Sequence, residues 1–246
     1  MIVGAVVLAA GRATRMGRPK VVLPWRGQSL LTHVLTALQQ AGVTPVVVVS
    51  GPEAPAGPAV GEGPAVGEGP AVEEAPAVGE GPAVGQGPAV REAPAVGQGP
   101  AVGQGPAVVE APALMEGVET VVNPHAQQGM GTSIAAGVAA LRGRVEATLI
   151  CLGDQPGIRA ETIAALIGAL RPPALAAAPI YQGGVRGHPV LFAAALFPDL
   201  CRLQGDRGAR SVLQAAPMVV VPIAGPPPQD IDTPADYARL LGGKPE

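Results

Sequence analysis

The chain has 246 residues and a formal net charge of −3, and 48% of its residues are hydrophobic but only 2% are aromatic. This length suits one ordinary α/β domain with an aliphatic core, and the weakly acidic balance argues against nucleic acid as the main partner. Cys151 and Cys201 form no CxxC pair, which excludes a disulfide framework and a cysteine-built zinc site.

The first predicted elements form a strand–helix–strand unit. Residues 2–10 are an apolar, valine-rich run that ends at a Gly/Arg loop, which is typical of a buried parallel strand rather than of a signal peptide. A helix over 30–40, capped by Ser29, and a buried strand over 46–49 follow. No run reaches the roughly 20 apolar residues of a membrane span, so we expect a cytoplasmic protein without a membrane partner.

Residues 57–116 then repeat a hexad similar to GPAVGE, and three hexads form a larger unit that recurs at 57–74, 75–92 and 93–110. Proline in each hexad removes a backbone donor and glycine raises the entropic cost of order, which favours a disordered or extended segment. The larger period, with valine in each hexad, would also fit a left-handed β-helix. We predict a domain formed by 1–51 and 117–246, interrupted by a low-complexity insertion over 52–116 that carries no chemistry.

Beyond the insertion, strands and helices alternate. Strands are predicted at 118–122, 147–152, 175–180, 189–192 and 218–223, and helices at 133–141, 160–170, 206–215 and 234–241. This alternation predicts an α/β fold whose mainly parallel sheet is covered by helices on both faces. Ligands of such sheets bind in the loops beyond the carboxyl ends of the strands.

The loop Leu8–Lys20, with the sequence LAAGRATRMGRPK, directly follows the first predicted strand. Gly11 lets the backbone turn and expose its N–H groups. The loop also carries four cationic side chains, at Arg12, Arg15, Arg18 and Lys20. Amide donors, guanidinium groups and an ammonium are what a triphosphate needs, although the spacing matches neither a Walker A motif nor GxGxxG.

Two acidic motifs also follow predicted strands. Asp154 stands in GDQP, and Asp232 stands in DIDTP. Each motif alone could be turn chemistry, and Asp232 or Thr233 could simply cap the terminal helix. Because Mg²⁺ is commonly held by one or two carboxylates together with substrate phosphates, the pair predicts a shared metal site at Asp154 and Asp232.

Three further loops could contact ligands. Asn123-Pro124 and the GMGTS turn that ends at Ser133 could donate backbone hydrogen bonds to a base, or Ser133 could serve only as a helix cap. His188 lies between Gly187 and Pro189 in a loop, so it is not a core histidine. The GDRGAR segment supplies Arg207 and Arg210, which could bind a second phosphorylated ligand or form a charged helix start.

Taken in order, these motifs resemble those of the nucleotidyltransferases of molybdenum cofactor biosynthesis. Residues 8–20 are similar to the family signature LAAGxSxRMGxxK, with Ala13 where the family often has Ser. The similarity continues through NP, GMGTS, GDQP, GHPVLF, GDRGAR and DIDTPADY. The resemblance implies a single Rossmann-like domain of the GT-A type. Ala9-Ala10 looks like the cytidylyltransferase branch, because guanylyltransferase relatives tend to read LAGG.

The resemblance also implies a reaction and a set of functional residues. CTP and molybdopterin would give the cytosine dinucleotide cofactor and pyrophosphate, with Mg²⁺ as cofactor. The implied nucleotide-binding residues are Leu8, Ala9, Ala10, Gly11, Arg15, Lys20, Asn123 and Ser133. The implied substrate-binding residues are Gln155, His188, Arg207 and Arg210. The implied catalytic residues are Arg15, Lys20 and Asp154, and the implied metal ligands are Asp154 and Asp232. The alternatives are a guanylyltransferase, a transferase for another phosphorylated acceptor, and a non-catalytic carrier that passes the cofactor to a molybdoenzyme.

Overall fold

The computed structural model describes residues 1–11, 19–52, 108–109 and 115–242, with the backbone alone at Val108, Val109 and Arg207. The predicted insertion over 52–116 falls almost entirely outside these residues, so its extended or β-helical structure stays a prediction. Residues 12–18 of the basic loop also lie outside them. Within the described part of the chain, no helix combines the length and the apolar character needed to cross a membrane.

Eleven strands and six α-helices make up the described part of the chain. The strands are β1 (Val3–Leu8), β2 (Pro24–Trp25), β3 (Gln28–Ser29), β4 (Val46–Ser50), β5 (Val108–Val109), β6 (Val118–Val122), β7 (Ala147–Leu152), β8 (Ala176–Tyr181), β9 (Val185–Arg186), β10 (Val190–Ala193) and β11 (Met218–Pro222). The helices are α1 (Leu30–Gln40), α2 (Met130–Leu141), α3 (Ala160–Ala169), α4 (Phe197–Leu200), α5 (Arg210–Ala215) and α6 (Pro234–Leu240).

One sheet of nine strands has the order β11-β8-β10-β7-β1-β4-β6-β5, with β9 paired to β8. The central strands β7, β1, β4 and β6 are parallel, as is β11 beside β8, which confirms the predicted α/β fold and mainly parallel sheet. β10 runs antiparallel to both of its neighbours, β7 and β8. The cause is the short β8–β10 connection, since a parallel crossover needs roughly a dozen residues or more.

The two faces of the sheet support separate hydrophobic cores. Side chains alternate along β1, so Ala5 and Val7 face the core built with α1 and α3, whereas Val6 faces the core built with α2, α4 and α5. β1 is therefore buried on both faces, which explains why its sequence is a continuous apolar run. Both predicted helical layers are present.

The first residues of the helices confirm one prediction and correct others. α1 begins after Ser29, whose side chain accepts a hydrogen bond from the Thr32 amide at 3.1 Å, as predicted. The predicted start of the next helix at 133 is too late, and the alternative that Ser133 caps it is wrong, because α2 begins at Met130 and Ser133 lies buried in its first turn. The predicted helix over 206–215 is divided, since Gly208 has a φ of 55° between a 3-10 turn and α5.

Candidate active site

A cleft of about 470 Å³ opens at the carboxyl ends of β1 and β7. Its described lining consists of Leu8, Ala10, Gly11, Ala126, Gln127, Gly129, Met130, Ser133, Leu152, Asp154, Asp206, Asp230 and Asp232. Four of these side chains are carboxylates and none of the described ones is cationic. An anionic ligand can therefore enter only when cations compensate these charges.

Lys20 supplies one such cation at the edge of the cleft. It stands at the start of a 3-10 turn, and its Nζ lies 2.5 Å from Asp232 Oδ1 and 4.0 Å from Asp154 Oδ2. One ammonium thus faces two carboxylates that lie 134 and 212 positions after it in the sequence. The sequence predicted that Asp154 and Asp232 share a metal and that Lys20 binds the nucleotide, and the structure brings the three side chains together.

Asp154 reaches this point because Gly153 allows a close backbone approach. The Gly153 amide donates to Leu8 O at 3.0 Å. A Cβ at position 153 would lie 3.0 Å from that same oxygen and 3.1 Å from Val21 Cγ1. Burial raises the pKa of Asp154 to about 6, which the charge of Lys20 opposes and those of Asp230 and Asp232 reinforce.

Asp232 is positioned by the residue that precedes it. Ile231 is 0% exposed and packs with Leu23 and Leu30, while the carboxylates on either side of it line the cleft. α6 begins immediately afterwards and is capped by the side chain of Thr233, not by Asp232. Asp232 is therefore free of the capping role that the sequence left open, and it faces Lys20.

The glycines of the GMGTS turn let this turn pack closely against the loop at Gln204 and Gly205. Gly129 has a φ of 118°, and a Cβ there would lie 2.5 Å from Gly205 O. A Cβ at Gly131 would lie 2.9 Å from the carbonyl group of Gln204. Only glycine lets the first turn of α2 approach this backbone so closely. The contact brings Asp206 to the wall of the cleft.

Comparison with known proteins identifies the family of this fold. The profile described as the MobA-like NTP transferase domain matches residues 5–102 and 100–219. The chain belongs to the MobA-like NTP transferase family. Nicotine blue oxidoreductase of Paenarthrobacter nicotinovorans is 28% identical over 97% of this chain and 96% of that protein. Molybdenum cofactor guanylyltransferase of Xanthomonas euvesicatoria pv. vesicatoria is 54% identical over 43 residues, 18% of this chain and 23% of that protein.

Solved structures of other proteins share the architecture of this MobA-like NTP transferase. Rv0371c of Mycobacterium tuberculosis H37Rv superposes with a TM-score of 0.69 at 26% identity, covering 99% of this chain and 98% of that one. Its complex with manganese superposes with a TM-score of 0.66 at 25% identity, covering 99% and 100%. A nucleotidyl transferase of Methanothermobacter thermautotroptrophicus, at 19% identity and a TM-score of 0.59 over 98% and 96%, shows the fold alone.

The carboxylates of this MobA-like NTP transferase fit a divalent cation. Asp154 Oδ2 and Asp232 Oδ1 lie 4.0 Å and 2.5 Å from Lys20 Nζ, so the two carboxylates lie close to each other. Among the residues that the structure describes, no group of three or more His, Cys, Asp or Glu side chains could hold a metal. A pair of carboxylates suits Mg²⁺ or Mn²⁺, which take hard oxygen ligands and usually complete their shell with waters and substrate phosphates.

The predicted nucleotide-binding residues have different settings in the MobA-like NTP transferase. Leu8, Ala10, Gly11 and Ser133 line the cleft, whereas Ala9 is buried in the core beside it. Asn123 is buried, and its amide donates to Ser133 Oγ at 3.0 Å and to Thr132 Oγ1 at 2.9 Å. Asn123 thus holds the start of α2, and nucleotide contact by Asn123 or Ser133 stays a prediction.

Of the predicted acceptor-binding residues, Gln155 and His188 both lie near Asp230. His188 Nδ1 lies 3.4 Å from Ile150 O, and burial lowers the pKa of His188, which favours the neutral ring. Arg210 is exposed at the start of α5. Gln155 is buried and its amide contacts Asp230. The side chain of Arg207 lies outside the described residues, as does Arg15, which was predicted to bind the nucleotide. The roles of all five residues therefore stay predictions.

Sequence reasoning did not assign Asp206 and Asp230, although both line the cleft. Each stands inside a motif that was recognised, GDRGAR and DIDTP, but another residue of that motif received the role. Asp230 follows β11, so a signal of the kind that pointed to Asp154 could have found it, whereas Asp206 follows α4 and has no such signal.

Proposed function

We propose that the chain transfers CMP from CTP to molybdopterin and releases pyrophosphate, with Mg²⁺ as its cofactor. The observation that carries this proposal is the convergence of Lys20, Asp154 and Asp232 at the carboxyl ends of the central strands. An ammonium suits phosphate oxygens, and two carboxylates suit a divalent metal. The manganese complex of the M. tuberculosis relative supports a divalent cation.

In this mechanism the protein acts by positioning and by charge neutralisation. The terminal phosphate of the acceptor attacks the α-phosphorus of CTP in line, a new P–O bond forms, and pyrophosphate leaves. Because the attacking phosphate is already anionic, the reaction needs no strong general base. Lys20 donates hydrogen bonds to phosphate oxygens, and Asp154 and Asp232 would hold the metal. A bound metal supplies positive charge against the negative charge on the leaving pyrophosphate.

We expect Lys20→Met to lower kcat about a hundredfold, because a positioned cation that stabilises developing phosphate charge contributes this much in comparable sites. Methionine keeps most of the side-chain volume, so the fold should persist. Steady-state pyrophosphate release measures kcat. Arg202→Met is the matched control, since among the residues that the structure describes Arg202 forms a salt bridge only with exposed Asp199 on α4. Equal losses in the two variants would remove Lys20 from the catalytic residues.

The preference for CTP rests on Ala10, whose methyl group lies on the wall of the cleft. The resemblance places glycine here in guanylyltransferases, and a larger cleft would suit a larger base. We expect Ala10→Gly to move the ratio of kcat/KM values for CTP and GTP about tenfold toward GTP, as one methyl group in a pocket typically does. Ala165→Gly is the control, because Ala165 is exposed on α3 and does not line the cleft. An unchanged ratio in Ala10→Gly would contradict this origin of specificity.

A redox function is the second candidate, and one observation favours it. Nicotine blue oxidoreductase resembles this chain over 97% of this chain's length, so membership of the family alone does not decide the reaction. The cluster of Lys20, Asp154 and Asp232 favours nucleotidyl transfer, because a hydride or electron transfer has no need of two carboxylates around one ammonium.

The deciding experiment measures pyrophosphate release with Mg²⁺ and molybdopterin in the presence of CTP, GTP or ATP. Release with CTP supports the proposal, and release with GTP alone supports the guanylyltransferase alternative. A parallel assay follows the absorbance of nicotine blue with NADH or NADPH as the electron donor. Turnover there, with no pyrophosphate release by folded protein, would replace the proposal with the redox function.

A further inference from the structure

Gln155 links two loops that the sequence separates widely. It follows Asp154 directly, and its Nε2 donates a hydrogen bond of 2.6 Å to Asp230 Oδ1, 75 residues away. Gln155 is only 5% exposed, whereas Asp230 lies on the surface of the cleft. The buried amide therefore holds the exposed carboxylate from below.

This hydrogen bond connects the loop that carries Asp154 to the segment that carries Asp232, the two carboxylates proposed as metal ligands. Asp154 lies one residue before Gln155, and Asp232 lies two residues after Asp230. Ile231, between Asp230 and Asp232, is fully buried and anchors its segment to Leu23 and Leu30. The buried Ile231 side chain holds the segment 230–232 against the core. The hydrogen bond determines how closely this segment approaches the loop of Asp154.

The other end of the Gln155 amide shows that packing alone does not explain this residue. Its Oε1 is buried and has no hydrogen-bond partner among residues 1–11, 19–52 and 115–242. A buried acceptor left unpaired costs about 1–3 kcal/mol, which an apolar side chain of similar size would avoid. A charge-assisted bond to a carboxylate is the stronger kind of hydrogen bond, so the donor Nε2 is the reason for an amide here.

We propose that Gln155 is a positioning residue, which holds Asp230 and so keeps Asp232 opposite Asp154 for a shared divalent cation. The inference rests on the proposed function for its link to catalysis, but the metal site can be tested by itself. Groups that orient metal ligands without touching the metal typically change metal affinity by about 10–100-fold when they are removed. Gln155 thus acts through the segment 230–232 rather than by contacting substrate.

Direct Mn²⁺ binding, followed by the electron paramagnetic resonance signal of free Mn²⁺, tests this role. We expect Gln155→Leu to raise the Mn²⁺ dissociation constant about tenfold, while its Tm stays equal to that of the wild type or rises, since the unpaired acceptor is gone. A merely structural role predicts a lower Tm instead. Wild-type Mn²⁺ affinity in Gln155→Leu, or a loss of affinity that parallels a loss of Tm, would overturn the proposal.

A double variant that exchanges the donor and the acceptor of this hydrogen bond should restore Mn²⁺ affinity. In Gln155→Glu/Asp230→Asn the asparagine amide can donate to the glutamate, and the net charge equals that of the wild type. We expect Mn²⁺ affinity within about threefold of the wild type, well inside the range lost when the bond is removed. Asp230→Asn alone is the control for the charge at 230. A double variant as weak as Gln155→Leu would count against the proposal.

Activity separates this inference from the proposed function. If Gln155→Leu weakens Mn²⁺ binding but the wild type releases no pyrophosphate with any nucleotide, the positioning role stands and the proposed function fails. If the wild type is active, we expect Gln155→Leu to raise the metal concentration for half-maximal rate more than it lowers kcat at saturating metal. The reverse pattern, with activity in the wild type and unchanged Mn²⁺ binding in the variant, refutes the inference alone.

Discussion

Asp154→Asn is expected to lower kcat at least a thousandfold without lowering thermal stability. Asparagine keeps the shape of the side chain but removes the charge that faces Lys20 and the proposed metal. The loss of a metal ligand and of a preorganised charge together account for a reduction of about this size.

The thermal stability of Asp154→Asn, unlike its kcat, should be equal to or higher than that of the wild type. Burial raises the pKa of Asp154 to about 6, from an ordinary value of 3.8, so the folded protein without metal binds its proton more tightly than the unfolded chain does. The ionised carboxylate therefore costs stability as pH rises from about 4 to above 6, and the neutral asparagine removes this cost at pH 7.

Two measurements check the Asp154→Asn prediction: pyrophosphate release for kcat, and thermal unfolding at pH 7 for Tm. Asp199→Asn is the matched control, since Asp199 is an exposed carboxylate on α4 that pairs with Arg202 at 3.2 Å. The control should keep full activity. More than a tenth of wild-type kcat in Asp154→Asn would remove Asp154 from the metal site, and a Tm lowered by several degrees would show a structural role instead.

Gly137→Ala is expected to destabilise the fold by about 2–3 kcal/mol, the range of overpacked cores. Gly137 lies in α2, where a Cβ would overlap Val6 Cγ1 and come within 2.9 Å of Val49 Cγ2. Both valines are fully buried in β1 and β4 and have short, branched side chains that cannot turn away. The helix must therefore move away from the sheet, and Tm should fall by roughly 5–10 °C for a domain of this size.

The same substitution in α3 serves as the control for Gly137→Ala. Gly168 is exposed, and a Cβ there would meet nothing within 4 Å. Gly168→Ala should stabilise the protein by about 0.5–1 kcal/mol, because alanine favours the helix. Urea unfolding curves give both free energies of unfolding. Two stabilised variants would mean that α2 does not pack this closely on β1 and β4.

Much of the fold was predictable because its central strands are nearly continuous runs of apolar residues. β1 and β7 are apolar along their length, and α1 has helical spacing, a serine cap and a glycine after its end. The strand-end rule then placed Lys20, Asp154 and Asp232 at one edge of the sheet. That rule concerns topology, so it worked without any information on side-chain contacts.

The features that were not predictable depend on contacts between distant residues. The antiparallel direction of β10 results from its short connection to β8, but periodicity does not show that β10 pairs directly with β8 and β7. The early start of α2 follows from the approach of Gly129 to Gly205, and the glycine-rich sequence looked like a binding turn. The bond from Gln155 to Asp230 joins two motifs that were each interpreted alone.

The separation of Lys20 and Asp232, 212 positions in the sequence, has a consequence for synthesis. A ribosome delivers Lys20 early and Asp154 midway, but the segment of Ile231 and Asp232 comes close to the end of the 246 residues. A nascent chain that has emerged only as far as β11 can form most of the sheet, yet it lacks the second carboxylate. Activity should therefore begin only after Asp232 has been translated, and products truncated before Asp232 should be inert.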